Sequence, residues 1–166
     1  RPEIIRFFIL TSHYRSPLNY SDESLNDAVA GLTRLYTALR DVEIIEADID
    51  LEFKNRFEQA MNDDFNTPVA LAVLFDVARE LNKTKSPVLA ATLKSLANVL
   101  GLLQSDSEVF LKSGNNDDAE IDAQIQARVD AKKAKNWALA DQIRDELKAK
   151  NIILEDSPDG STRWRR

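Results

Sequence analysis

A tryptophan, a carboxylate and two cations recur at helical spacing near the end of this chain, as Trp137, Asp141, Arg144 and Lys148. At about 100° per residue they fall in one narrow sector, rotated away from Leu139, Ile143 and Leu147, which the same period aims at a core. The outward stripe offers an aromatic face that can stack a planar group, a carboxylate that accepts hydrogen bonds and cations that hold anions. Arg128, Lys132, Lys133 and Lys135 precede it, and Arg163, Arg165 and Arg166 follow around Trp164. That is chemistry of recognition. The parts needed for catalysis do not assemble: His13 is the only histidine, there is no cysteine, and no glycine-rich loop follows a strand, so neither a nucleophile–base pair nor a nucleotide cradle is visible. Without cysteine there is no disulfide and no thiolate metal site. Asp63-Asp64 precedes Phe65-Asn66-Thr67-Pro68 and reads as a helix end and the next helix's capping region rather than as a metal site.

The elements that must position these residues are mostly helices. Residues 3–13 are apolar on nearly every side (Ile4, Ile5, Phe7, Phe8, Ile9, Leu10), which predicts a helix buried on several faces. Ser21, followed by Asp22 and Glu23, predicts a capped helix start, with Leu25, Val29, Leu32, Leu35, Tyr36 and Leu39 as its core stripe. The acidic stretch 41–50 predicts a mobile loop before a helix carrying Phe53, Phe57 and Met61. Thr67-Pro68 and Ser86-Pro87 each predict a capping hydroxyl ahead of a proline at the first helical position, where the missing N–H costs nothing. The first 103 residues therefore predict an antiparallel bundle of about five helices. Residues 104–118, with Gly114 and Asn115-Asn116, predict a linker in which Glu108 to Leu111 keeps a helical turn. Residues 119–166 predict a second domain: a helix opening on Ile121, Ile125 and Val129, the helix carrying the stripe and closed by Asn151, a strand over 152–155, a turn at Ser157-Pro158-Asp159-Gly160 and a strand over 162–166. Trp164 is expected in the hairpin core. The fold class is mainly α, a helical bundle followed by a small helical-hairpin plus β-hairpin domain.

Composition sets the frame for these elements. The 166 residues carry a formal charge of −6, with 43% hydrophobic and 30% charged residues, ordinary for a globular chain. The charge is uneven. From residue 121 onward ten cations stand against eight acids, and a local basic surface suffices to bind phosphates because attraction is screened beyond roughly 10 Å. The apolar run Ile4 to Leu10, interrupted by Arg6, is too short to cross a membrane. The single methionine is Met61, so a piece of a longer cytosolic protein is expected.

Three ordered strings carry a family resemblance. The closing NWALADQIRDELKAKNIILEDSPDGSTRWRR resembles the C-terminal anticodon-binding domain of bacterial-type cysteinyl-tRNA synthetases, FEQAMNDDFNTPVALAVLFDVARELN is similar to that family's DALR-type helical bundle, and EIIRFFILTSHYRSPLNYSDESL resembles the helix and loop that follow its catalytic domain. The resemblance implies a C-terminal fragment that binds the transfer RNA for cysteine, whose anticodon is GCA. The parent would be an ATP-dependent cysteine–tRNA ligase, with ATP and zinc held in the absent catalytic domain and no cofactor in this piece. It further implies the catalytic domain of the same chain as partner, no membrane, a cytoplasmic location and a monomer. His13 and Arg15 would fix the junction with that catalytic domain.

The resemblance also assigns residues. Trp137, Asp141 and Asp156 match the positions that read the anticodon, and Lys132 stands where family members often carry arginine, which leaves a point-charge phosphate contact in place of a planar, bidentate one. Arg128 and Arg165 are phosphate candidates. A guanine edge presents N1–H and an exocyclic amine, two donors that one ionised carboxylate can accept together, while an unstacked loop base can lie on Trp137. Each residue has a structural reading beside this one: Trp137 as a lid over two helices, Asp141 paired with Arg144 or Lys148, Asp156 ordering the turn. From composition and periodicity alone, a helical protein-interaction scaffold is equally allowed.

Overall fold

The computed structural model describes residues 1–40, 42–45, 48–112, 118–157 and 161–165. Eight helices and one two-stranded hairpin form among them: α1 (Pro2–Leu10), α2 (Asp22–Leu39), α3 (Leu51–Asn62), α4 (Thr67–Thr84), α5 (Pro87–Val99), α6 (Ser107–Lys112), α7 (Asp118–Lys133), α8 (Trp137–Ala149), β1 (Ile153–Asp156) and β2 (Thr162–Arg165). They divide into two compact units, Arg1–Ser107 and Glu108–Arg166. The span predicted as a linker, 104–118, contains α6, whose Phe110 and Leu111 are buried. Its residues 113–117 lie outside those described, as do Asp41, Glu46 and Ala47 of the predicted acidic loop, the turn residues Pro158 to Gly160, and Arg166.

In the first unit α4 is central, packing on α2, α3 and α5, with α1 lying on α2. Buried Leu71, Leu74, Val77 and Leu81 face these neighbours at helical spacing. The helix starts follow from capping chemistry. Ser21 and Ser24 form a reciprocal capping box at α2, Asp50 accepts from Phe53 N–H at α3, and Ser86 accepts from Leu89 N–H at α5. At α4 the cap lies one residue earlier than predicted: Asn66, not Thr67, accepts from Val69 N–H, and Thr67 becomes the first helical residue. Asn is as good a cap as Thr or better, so the dipeptide Asn-Thr leaves the choice open in sequence.

The first helix is shorter and less enclosed than predicted. It ends at Leu10, and only Phe7 and Phe8 are fully buried; Ile5 and Ile9 are 45% and 53% exposed. Val29, predicted in the core stripe of α2, is also exposed, while Ala28 is buried in its place. The loop after α1 folds onto the turn between α3 and α4: Tyr14 Oη donates to Asp64 Oδ1 at 2.7 Å, Arg15 pairs with the same carboxylate at 3.1 Å, and His13 Nε2 lies 3.0 Å from the Asp64 carbonyl. His13, Tyr14 and Arg15 thus brace a turn in which Asp64 and Phe65 adopt positive φ.

The segment leaving α5 is pinned by side chains. Arg6 donates to the Gly101 carbonyl, Lys94 to that of Leu103, and Glu3 accepts from Leu103 N–H and from Tyr36 Oη at 2.9 Å. Tyr36 accepts from Ser105 N–H at 3.1 Å. Burial, with the Glu3 carboxylate alongside, pushes the Tyr36 phenol up to about 12, so it remains a donor to Glu3.

Close approach of α1 to α2 depends on Gly31. A Cβ there would stand 2.9 Å from Cε1 and Cζ of Phe7, a ring that is 3% exposed. Gly31→Ala is therefore expected to destabilise the first unit. Overpacking costs about 1–3 kcal/mol, against about 1 kcal/mol gained in helix propensity, for a net loss of roughly 1 kcal/mol in denaturant unfolding. A gain in stability would mean that the Phe7 ring can swing aside.

Candidate nucleic-acid interface

The second unit is built from two helix ends of the same design. Lys135 takes positive φ, donating to the Lys132 carbonyl at 3.0 Å, while Asn136 N–H reaches back to Ala131 at 2.9 Å; this 6→1 and 5→2 pair ends α7. Asn136 then caps the next helix, accepting from Leu139 N–H at 3.2 Å. One residue serves two helices. At the far end of α8, Asn151 takes positive φ and Ile152 N–H bonds Leu147 at 2.9 Å, which turns the chain into β1. Antiparallel pairing then sets Leu154 opposite Trp164 and Asp156 opposite Thr162.

Ile121, Ile125, Leu147, Ile152 and Trp164 form the core, with Ile143 and Leu154 packed against it. Trp164 is 1% exposed, donates its indole N–H to Asp122 at 2.7 Å and lies under the Lys112 ammonium at 5.4 Å. Leu139 departs from the predicted stripe: it is 41% exposed, and Ala140 is buried instead. Leu139 lies in the first turn of the helix, and the small Ala140 is the residue of that turn turned inward.

Arg128, Lys132 and Asp156 come together. The Arg128 guanidinium, 7% exposed, holds both oxygens of Asp156 at 2.9 and 3.0 Å. Lys132 Nζ reaches Oδ2 at 2.9 Å and Thr162 Oγ1 donates to Oδ1 at 2.7 Å. The Arg128 hydrogen bonds, with those of Thr162 and Lys132, hold the Asp156 carboxyl well below the usual carboxylate range. Asp156 in turn raises Arg128 against the opposing effect of burial, with a smaller contribution from the charge of Asp141. Arg128 follows Ile121 and Ile125 at seven and three residues, so helical spacing already places it on the buried face; Thr162 carried no comparable signal.

The other predicted residues stand elsewhere on the unit. Trp137 is 60% exposed on α8, and Asp141, also exposed, pairs with Arg144 at 3.1 Å. Arg165 on β2 donates to Glu155 at 2.8 Å rather than to Asp156. Between α8 and β1 lies an open cleft of about 440 Å³ bounded by Arg128, Arg144, Lys148, Ile153, Leu154 and Asp156. It joins the buried network to the outward stripe of α8. Its cations and apolar wall suit a planar, anionic ligand. Among the described residues no group of three or more His, Asp or Glu side chains is placed to hold a metal ion, and no helix is long and apolar enough to cross a membrane.

Residues 56–104 match the DALR domain family, and residues 117–165, which hold the whole network, match the cysteinyl-tRNA ligase anticodon binding domain. These are domains of an aminoacyl-tRNA synthetase. Over its full length the chain is 59% identical to a cysteine–tRNA ligase of Methylococcus capsulatus, and over 99% of its length 56% and 54% identical to those of a Janthinobacterium species and Legionella pneumophila. The chain belongs to the cysteine–tRNA ligase family. It spans 37–39% of the length of these relatives.

Proposed function

We propose that the second unit binds the anticodon loop of cysteine tRNA and reads the guanine of its GCA anticodon, so that a parent enzyme can attach cysteine to that tRNA with ATP. The observation that carries this reading is the juxtaposition on one helix of an exposed indole, Trp137, and an exposed carboxylate, Asp141, within the residues that match the anticodon-binding family. A base stacks on the indole while Asp141 exchanges its weak, exposed pair with Arg144 for the two donors of guanine. Arg144, so released, and Lys148 remain beside the cleft for phosphate. Arg128 and Asp156 form its fixed wall and hold Lys132 toward solvent, and Arg165 adds a cation on the adjoining strand. ATP and zinc belong to the rest of the parent, since this chain has no cysteine and no phosphate loop. We place the parent in the cytoplasm as a monomer.

Asp141→Asn is expected to lower the preference for a GCA over an ACA stem-loop by about tenfold, because the new amide sets a donor against a guanine donor and leaves it unsatisfied. Lys132→Ala should weaken both loops alike and flatten the salt dependence of log K by about 0.7–0.9, as a phosphate contact carries no base information. Titrations of both loops at two salt concentrations test the pair. Equal losses for both loops in a folded Asp141→Asn protein would remove Asp141 from the reading pocket.

A further inference from the structure

The Asp156 carboxylate has no room for a fifth donor. Oδ1 accepts from Arg128 Nη1 at 2.9 Å and from Thr162 Oγ1 at 2.7 Å, and Oδ2 accepts from Arg128 Nη2 at 3.0 Å and from Lys132 Nζ at 2.9 Å. A carboxylate offers about four lone-pair positions, so all are taken. The members differ in freedom. The Arg128 side chain is 7% exposed and its buried Nε has no partner among the described residues, so Asp156 supplies all of its compensation and holds it in place. Lys132 is 36% exposed, and a compact ammonium on a flexible stem can pair with either oxygen of a carboxylate. Thr162 decides between them. It opens β2 opposite Asp156 in the antiparallel register, and with its hydroxyl and Arg128 both on Oδ1, only Oδ2 is left for Lys132.

We propose that Thr162 is a positioning residue of the RNA interface: by filling Asp156 Oδ1 it confines the Lys132 ammonium to Oδ2 and so fixes where that cation meets a phosphate. The inference rests on the RNA-binding reading of the second unit. An ammonium carries three donors, and one is spent on Asp156; the other two serve the ligand from a fixed place. Thr162→Val keeps the branched side chain, which suits a strand, and removes only the hydroxyl. Oδ1 then regains a lone pair that Lys132 can reach, and the ammonium divides its time between two oxygens. The hydroxyl is also one of the hydrogen bonds that hold the Asp156 carboxyl low, so its loss moves that titration upward.

The test uses the whole chain and begins without RNA. In the unmutated protein the Lys132 Nζ resonance should stand apart from those of the other lysines; in Thr162→Val it should broaden or move toward them, and the Asp156 carboxyl carbon should titrate at higher pH. Thr162→Ser, which returns the hydroxyl, should restore both. With RNA, Thr162→Val is expected to weaken GCA and ACA stem-loops alike by about threefold, the scale of one hydrogen bond, and to leave the preference between them unchanged. In a Lys132→Ala background the same substitution should add nothing, because both changes act through one contact. A merely structural role would weaken binding equally with and without Lys132. An unmoved Lys132 Nζ signal in folded Thr162→Val overturns the proposal, as do additive losses in the double variant. A chain that bound neither loop would overturn the RNA reading instead, so the two failures appear in different measurements.

Discussion

Trp164→Ala is expected to unfold the second unit at temperatures where the first still stands. The indole is 1% exposed and sits among Ile121, Ile125, Leu147 and Ile152, opposite Leu154 on the paired strand. Truncating a buried aromatic costs about 3–5 kcal/mol. A unit of this size holds roughly 3–9 kcal/mol in all, so the loss takes most of its stability. The Asp122 carboxylate loses its indole donor, but it is exposed and water can replace the bond. Calorimetry should show the transition of the second unit lowered or lost, with that of the first unmoved. Trp164→Phe, which keeps most of the buried area, should recover much of it. A single transition moved as a whole would mean that the two units, compact by contact, unfold as one.

Asp156→Asn should have the next largest effect, and one that depends on pH. It leaves the Arg128 guanidinium, 7% exposed, facing an amide that can accept at one oxygen only. Breaking a buried pair from one side costs about 3–5 kcal/mol; Asp156 itself is 47% exposed and solvent screens part of that, so about 2–3 kcal/mol is expected. In the unmutated chain the Asp156 carboxyl is depressed by folding. The unfolded chain then takes up a proton near pH 4 that the folded chain refuses. The contribution is present in full above that pH and is lost progressively as pH falls below it. The stability of the second unit, followed by unfolding from pH 6 to pH 2, should therefore fall steeply in the unmutated chain and more gently in the variant. Parallel curves would show that the carboxylate contributes nothing specific.

Much of this architecture was legible in the sequence. Proline after serine marked the start of α5, and Ser21 with two following acids marked α2, because these signals act within one turn. Periodicity located α8 and its outward stripe. It failed where apolar residues outnumber the buried positions: Ile5, Ile9, Val29 and Leu139 have the hydrophobicity of core residues and are exposed, since a helix on a surface has only one side to bury. The site was legible in part. Arg128 was read as a phosphate contact, yet its partner stands 28 residues away across the fold, a distance no local pattern spans. Lys135 and Asn151 end helices at positive φ without glycine, so the usual sign of a left-handed cap was missing at the first and only partly present, as asparagine, at the second.

Asn136 both receives the end of α7 and starts α8, which fixes more than a turn. The connection has no slack, so the rotational phase of α8 is inherited from α7. A residue added at that point would break the shared cap and displace α8 against α7 unless it were looped out. Leu147 would then swing from the core and Trp137 from its outward bearing together. The core and the recognition stripe are thus geared to one another. Length changes between the two helices are therefore poorly tolerated, and mutations that lengthen this connection should remove folding and the proposed RNA reading in a single step.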